Sequence, residues 1–299
     1  MRIILGTDGS EGARWAAETL VALPLASPAE VTVLAAVDVP EPSFTSVTPM
    51  ARRAYSQALA TMRREAEEEA LHALDTTGQI LDGHSASITT RLMHGPAETA
   101  IIEMAERLRA DLVVVGSRGL GPVKEFLLGN VSQQVIRSAP CSVLIARGPV
   151  GPVRRVLIGM DGSVHAEAAT RFVSDLPLPS DASVRLCAVA EAPTFGPGKV
   201  ATPQELAAAL RTIAEVGRAS ADRVLAEGRR LLAAVGCEIT TSMRAGHPVD
   251  HLLAAIREFR PDLAVIGAKG RTGAKSFALG SVAQMVLKYA SCSVLVVRP

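Results

Sequence analysis

Ile3-Ile4-Leu5-Gly6-Thr7-Asp8-Gly9-Ser10 returns later in the chain as Val156-Leu157-Ile158-Gly159-Met160-Asp161-Gly162-Ser163. Each copy is a short apolar run ending at a glycine, then a carboxylate and a second glycine, the pattern of a buried strand running into a turn. Three further stretches repeat in the same order. Val31 to Asp38 matches Val184 to Glu191, Asp111 to Gly116 matches Asp262 to Gly267, and Ala139 to Leu144 matches Ala290 to Leu295. The offset is 153 between Asp8 and Asp161 and 151 between Gly116 and Gly267, so the halves differ by a two-residue loss between those points. Self-similarity at this period means two copies of one domain.

Within each half, β-branched runs alternate with longer helical patterns. Strands are expected at 2–7, 30–37, 87–93, 111–116 and 141–146, then at 154–159, 183–190, 238–244, 262–267 and 292–297. Helices are expected near 10–22, 50–77, 96–109 and 130–138, then near 163–174, 203–235, 248–259 and 281–289. Ser10 and Ser163 are placed to cap the first helix of each half, and Thr202-Pro203-Gln204-Glu205 offers a cap, a proline at the first helical position and an early carboxylate. Alternation of this kind implies an α/β fold: two doubly wound domains, each a parallel sheet with right-handed crossovers and helices on both faces. The domains are expected at 1–147 and 154–299, joined by a linker at 148–153 that carries Gly148-Pro149-Val150-Gly151-Pro152.

Composition agrees. Aromatics make up only 3% of 299 residues against 48% hydrophobic, so two cores must be built from Val, Ile, Leu and Ala. The formal charge of +1 gives no broad basic surface for nucleic acid. No apolar run is long enough to span a bilayer, and the N-terminal run is too short for a signal-peptide core. Cys141, Cys187, Cys237 and Cys292 are scattered without a CxxC pair, which points away from a disulfide framework or a zinc site and toward a reducing, cytoplasmic setting.

The chemistry lies after the fourth strand of each half. Gly116-Ser117-Arg118-Gly119 is followed by nine residues and then Gly129-Asn130-Val131-Ser132; Gly267-Ala268-Lys269-Gly270 is followed by nine and then Gly280-Ser281-Val282-Ala283. Glycines let backbone approach an anion closely and permit positive φ. The second segment opens a helix, whose unpaired N–H groups and positive dipole end favour phosphate. Arg118 and Lys269 add charge within the loop, and Lys124 and Lys275 occupy matching places in the spacer. In a doubly wound sheet the ligand crevice lies beyond the carboxyl ends of the strands, at the switch in strand order. Gly6 with Asp8, and Gly159 with Asp161, end the first strands at that crevice. A carboxylate there serves ribose hydroxyls, a phosphate-bound metal, or its own Asx turn.

The Gly-x-x-Gly, nine residues, Gly-Ser/Thr pattern, with Asp-Gly-Ser after the first strand, resembles the universal stress protein family once per half, over almost the whole chain. The resemblance implies a five-stranded sheet of order 3-2-1-4-5 and, in the ATP-binding branch, an adenosine nucleotide in the crevice. By position it puts Asp8 and Asp161 near ribose, and Ala36 and Val189 at the adenine pocket. It puts Gly116, Gly119, Gly129, Gly267, Gly270 and Gly280 on the phosphates, with Asn130, Val131 and Ser132, or Ser281, Val282 and Ala283, at the following helix start. Asn130 departs from the family's Ser/Thr. ATP with Mg2+, up to two nucleotides per chain, a homodimer, and a role in stress response or growth regulation follow from the resemblance.

Other chemistries lack their residues. Gly273-Ala274-Lys275-Ser276 has alanine where a P-loop needs glycine, and His247-Pro248-Val249-Asp250-His251 lacks the glutamate of a zinc protease. No catalytic residues or protein-held metal are expected; a slow ATPase or a nucleotidyl transferase on the same scaffold is the alternative. The apolar fifth strands, 143–146 and 294–297, are edges that need cover, and their mutual antiparallel pairing is expected to supply it.

Overall fold

The computed structural model describes residues 1–25, 29–39, 48–82, 86–118, 128–148, 151–191, 203–271 and 279–299. The chain divides into two compact units, Met1–Val21 with Ser27–Pro149, and Ala22–Ala26 with Val150–Pro299.

In the first unit, strands β1 (Arg2–Gly6), β2 (Ala29–Val37), β3 (Ala86–His94), β4 (Leu112–Gly116) and β5 (Ser142–Ala146) alternate with helices α1 (Glu11–Ala22), α2 (Pro49–Leu81), α3 (Ala97–Leu108) and α4 (Asn130–Ser138). Every strand pair is parallel, in the order β3-β2-β1-β4-β5. Parallel neighbours need crossover helices, and those helices cover both faces of the sheet. Consecutive residues are therefore buried along the central strands: Ile3, Ile4 and Leu5 in β1, and Leu112 through Val115 in β4. Ala13, Ala16 and Ala17 of α1 are buried too, and their small side chains bring that helix close to the sheet.

The second unit repeats the plan. Strands β6 (Arg155–Met160), β7 (Ser183–Glu191), β8 (Glu238–Gly246), β9 (Leu263–Gly267) and β10 (Ser293–Val297) alternate with α5 (Val164–Ser174), α6 (Pro203–Leu231), α7 (Pro248–Phe259) and α8 (Ser281–Tyr289). They form a parallel sheet in the order β8-β7-β6-β9-β10. The repeat extends to backbone strain. Arg109 after α3 and Arg260 after α7 both take φ of 48°, a left-handed conformation uncommon for a residue with a Cβ.

The sequence-based boundaries hold to within one or two residues except on the two long helices. α2 runs to Leu81, four residues past the expected 77, because Leu81 is buried at 1% exposure and extends the stripe that covers the sheet. α6 stops at Leu231, short of the expected 235. Beyond it, Ala233 bonds to Arg230 and Val235 to Leu232, the tighter i to i−3 pattern that ends a helix. Ser10 and Ser163 cap as expected, their hydroxyls accepting from the Ala13 and Ala166 N–H groups at 3.2 Å each. Thr202 lies outside the described residues.

Candidate functional site

β1 sits between β2 and β4, so the chain leaves the end of β1 toward one side and enters β4 on the other. This switch opens a crevice at the carboxyl edge. In the first unit it is a cavity of about 530 Å3, within the roughly 300–1,000 Å3 usual for small-molecule pockets. One wall is apolar: Leu34 and Ala36 from β2, Ala97 and Ile101 from α3, and Val115 from β4. The opposite part is polar backbone and charge: Asp8, Gly116, Arg118, and the start of α4 from Gly129 to Gln133.

Of the residues expected here, Gly6, Asp8, Ala36, Gly116, Arg118, Gly129, Asn130, Val131 and Ser132 all line this one cavity. Gly119 and Lys124 lie outside the described residues, as does Lys275 of the second half. Sequence reasoning missed Thr7, Ala13, Leu34, Ala97, Ile101, Val115, Leu128 and Gln133. Periodicity was the available signal for several of them. Leu34 is two residues from Ala36 on the same strand face, and Ala97 and Ile101 are one helical turn apart.

Among the described loop glycines, Gly116, Gly267 and Gly270 act by close approach and none takes positive φ, which corrects half of the reason given for them from sequence. Gly129 and Gly280 have φ of −65° and −64°, ordinary for any residue. Gly116, Gly267 and Gly270 are likewise outside the positive-φ region; in these turns the positive φ belongs to Gly9 at 73° and Gly162 at 79°. What Gly116, Gly267 and Gly270 avoid is collision. A Cβ on Gly116 would fall on the backbone of Gly12, and one on Gly12 would fall on the Arg118 carbonyl oxygen. A Cβ on Gly270 would stand 2.8 Å from Asp161 Oδ2.

Both aspartates close an Asx turn with one oxygen: Ser10 N–H donates to Asp8 Oδ1 at 3.0 Å, and Ser163 N–H to Asp161 Oδ1 at 2.9 Å. In the first unit the turn is compatible with that placement, since Asp8 also lines the cavity. The helix starts are held alike. Gly129 N–H donates to the Ser117 carbonyl at 2.8 Å and Gly280 N–H to that of Ala268 at 2.8 Å. The Gln133 and Gln284 side chains donate to the carbonyls of Leu128 and Leu279, each at 2.7 Å. Gly129 and Gly280 cap their helices with no side chain, so the first helical N–H groups point outward without an intrahelical acceptor. That end attracts an anion.

The two halves differ in detail. Ser132 Oγ donates to the Gly116 carbonyl at 2.6 Å, tying α4 to the end of β4, so its proton serves the scaffold. Ala283 stands in its place in the second unit and is buried. There Ser163 Oγ donates instead to the Lys269 carbonyl at 3.3 Å. Gly159 packs against Ile266 and Leu252, as Gly6 does against Val115 and Ile101. Val189 is partly buried like Ala36, Val282 is partly buried, and Ser281 is exposed at the helix start. Cys187, two residues before Val189, is buried, and desolvation pushes its thiol up to about 11.

The chain matches the universal stress protein family twice, over residues 1–147 and 152–298. It is 28% identical over 256 residues to a universal stress protein of Mycolicibacterium smegmatis, covering 81% of each chain. One half is 28% identical over 148 residues to a universal stress protein of Methanocaldococcus jannaschii, covering 82% of that protein. Among solved structures, a universal stress protein from Archaeoglobus fulgidus superimposes with a TM-score of 0.61 at 19% identity, over 99% of this chain and 98% of that one. The chain belongs to the universal stress protein family, with two family domains in tandem.

Proposed function

We propose that this protein binds ATP with Mg2+, up to one nucleotide in each unit, and acts in stress response or growth regulation through its occupancy, with at most slow hydrolysis. The observation that carries this reading is the first-unit cavity, which joins an apolar slot, a strand-end carboxylate and a helix N-terminus along one crevice. The slot between Leu34, Ala36 and Ile101 suits a purine ring, and Asp8 is an acceptor for ribose hydroxyls. The glycine turn with Arg118 and the start of α4 suits phosphates. Mg2+ would be held chiefly by the phosphate oxygens and water.

The geometry gives no reason for fast turnover. Asp8 and Asp161 each spend one oxygen on their own turn, and no histidine is among the described residues that line the first-unit cavity. Occupancy would then be read by another protein, from a cytoplasmic homodimer. Equilibrium dialysis with labelled ATP and magnesium tests the reading, with saturable binding of up to two equivalents as the expected result. Absence of saturable binding overturns it. Mass spectrometry of nucleotide released on denaturation identifies the ligand carried from the cell.

A further inference from the structure

His165 of α5 and Gly12 of α1 each lie four residues after the strand-end aspartate of their unit. In the first unit this position must be glycine, because the Arg118 carbonyl oxygen occupies the place of a Cβ. In the second unit the loop makes room. Gly267 packs on the His165 backbone, where a Cβ on Gly267 would stand 2.7 Å from both the carbonyl carbon and the Cβ of His165. The imidazole thus belongs to the ground under the 267–270 loop, a place with no side chain in the other half.

The ring is set there unusually. Its Nδ1 is shut off from solvent and meets no hydrogen-bond partner of its own, while the Val297 backbone is the hydrogen-bonding group that faces the ring. The charged groups that face it are Lys269 of the loop, Arg298 after β10, and Asp161 after β6. Burial and then Lys269 hold the imidazole below its ordinary range, with Arg298 acting the same way; the Val297 backbone and Asp161 act against them. A neutral ring beside two cations is the stable state as long as no further anion is near.

We propose that His165 couples the second nucleotide site to protons: phosphates entering the 267–270 loop are accompanied by protonation of His165, so this site binds nucleotide more tightly in mildly acidic solution while the first does not. The inference rests on the nucleotide-binding reading above. A polyphosphate in the loop offsets Lys269 and Arg298, the two cations that help to hold the ring neutral. Linkage is reciprocal, so a nucleotide that raises the affinity of His165 for a proton is itself bound more tightly once the proton is on. Each unit of pKa rise on binding gives up to about tenfold in affinity at low pH. Gly12 offers nothing to protonate, so the first site lacks this term.

The test is the ring titration of His165 in the full chain, followed by NMR with and without saturating Mg-ATP. The signal is assigned by H165N, or by elimination through single variants of His72, His84, His94, His247 and His251 if H165N fails to fold. The expected result is an upward shift of the His165 titration on adding nucleotide. Calorimetry near pH 6 in two buffers of different ionisation heat should also show proton uptake that falls in H165N. That comparison removes the proton taken up by the terminal phosphate itself, whose own pKa is about 6. Nucleotide binding with an unmoved His165 titration, or with equal proton uptake in H165N, overturns the inference and leaves the nucleotide reading standing. No binding at any pH overturns both.

Discussion

Asp161 Oδ2 lies 2.8 Å from the point that a Cβ on Gly270 would occupy. The carboxylate and the 267–270 loop thus lie close together, and the glycine is what lets the loop come so near. Gly270→Ala should displace the carboxylate, which is the free end of a flexible side chain, so the fold should survive. Nucleotide affinity of the second unit should drop by about tenfold, roughly 1.4 kcal/mol. Calorimetry beside circular dichroism checks this; unchanged affinity with a normal spectrum would mean that Gly270 is not at the site.

Gly116 and Gly280 should separate what the two loop ends do. A Cβ at Gly116 meets the Gly12 backbone, which has no side chain to swing aside. Gly116→Ala should therefore cost stability, about 1–3 kcal/mol as in other overpacked sites. A Cβ at Gly280 finds its nearest neighbours, the Ala268 oxygen and Lys269 Cα, at 3.4 Å, ordinary contact. Gly280→Ala should unfold at the same denaturant concentration as the parent, whereas a bulky residue there should block the phosphates and abolish binding in the second unit. Urea titration of both variants distinguishes them, and equal midpoints for Gly116→Ala and the parent would refute the packing argument.

Much of this was legible in the sequence because the fold's main signals are local and occur twice. The runs ending at Gly6 and Gly159, and at Gly116 and Gly267, fixed the strands, and two parallel sheets followed from their alternation with helices. The spacing from Gly116 to Gly129 marked two glycines that line one crevice in the first unit. The apolar wall was less visible. Ala97, Ile101 and Val115 read as core residues like any others, and only the tertiary arrangement turns one side of them toward the cavity. Nor does sequence reveal that Ser132 spends its proton on the Gly116 carbonyl. A one-letter difference such as Ser132 against Ala283, or Gly12 against His165, carries no sign of what surrounds it.

Hydrolysis should be slow. Phosphate release at saturating Mg-ATP is expected well below the ~10 per second typical of enzymes. The reason is that both strand-end carboxylates are committed to their own turns: Asp8 and Asp161 each accept from the serine N–H two residues on. Steady-state phosphate release measures it. A rapid magnesium-dependent rate that disappears in Asp161→Asn would instead favour an ATPase or nucleotidyl transferase, with that aspartate in the chemistry.

Stability of the nucleotide-free protein should fall with acidification, in part through His165. In the folded chain burial and Lys269 depress its pKa below 6.5, while in the unfolded chain it stays near the ordinary value of about 6.5. Above about pH 7.5 the ring is neutral in both states, and this group costs nothing. Below that, the unfolded chain takes up a proton that the folded chain resists, so stability is lost as pH falls toward the folded pKa. The denaturation midpoint should therefore drop between about pH 7.5 and pH 5.5, and the drop should be smaller in H165N, with other titrating groups common to both proteins. Identical pH dependence in the two would show that the imidazole under the second loop is not held neutral by its surroundings.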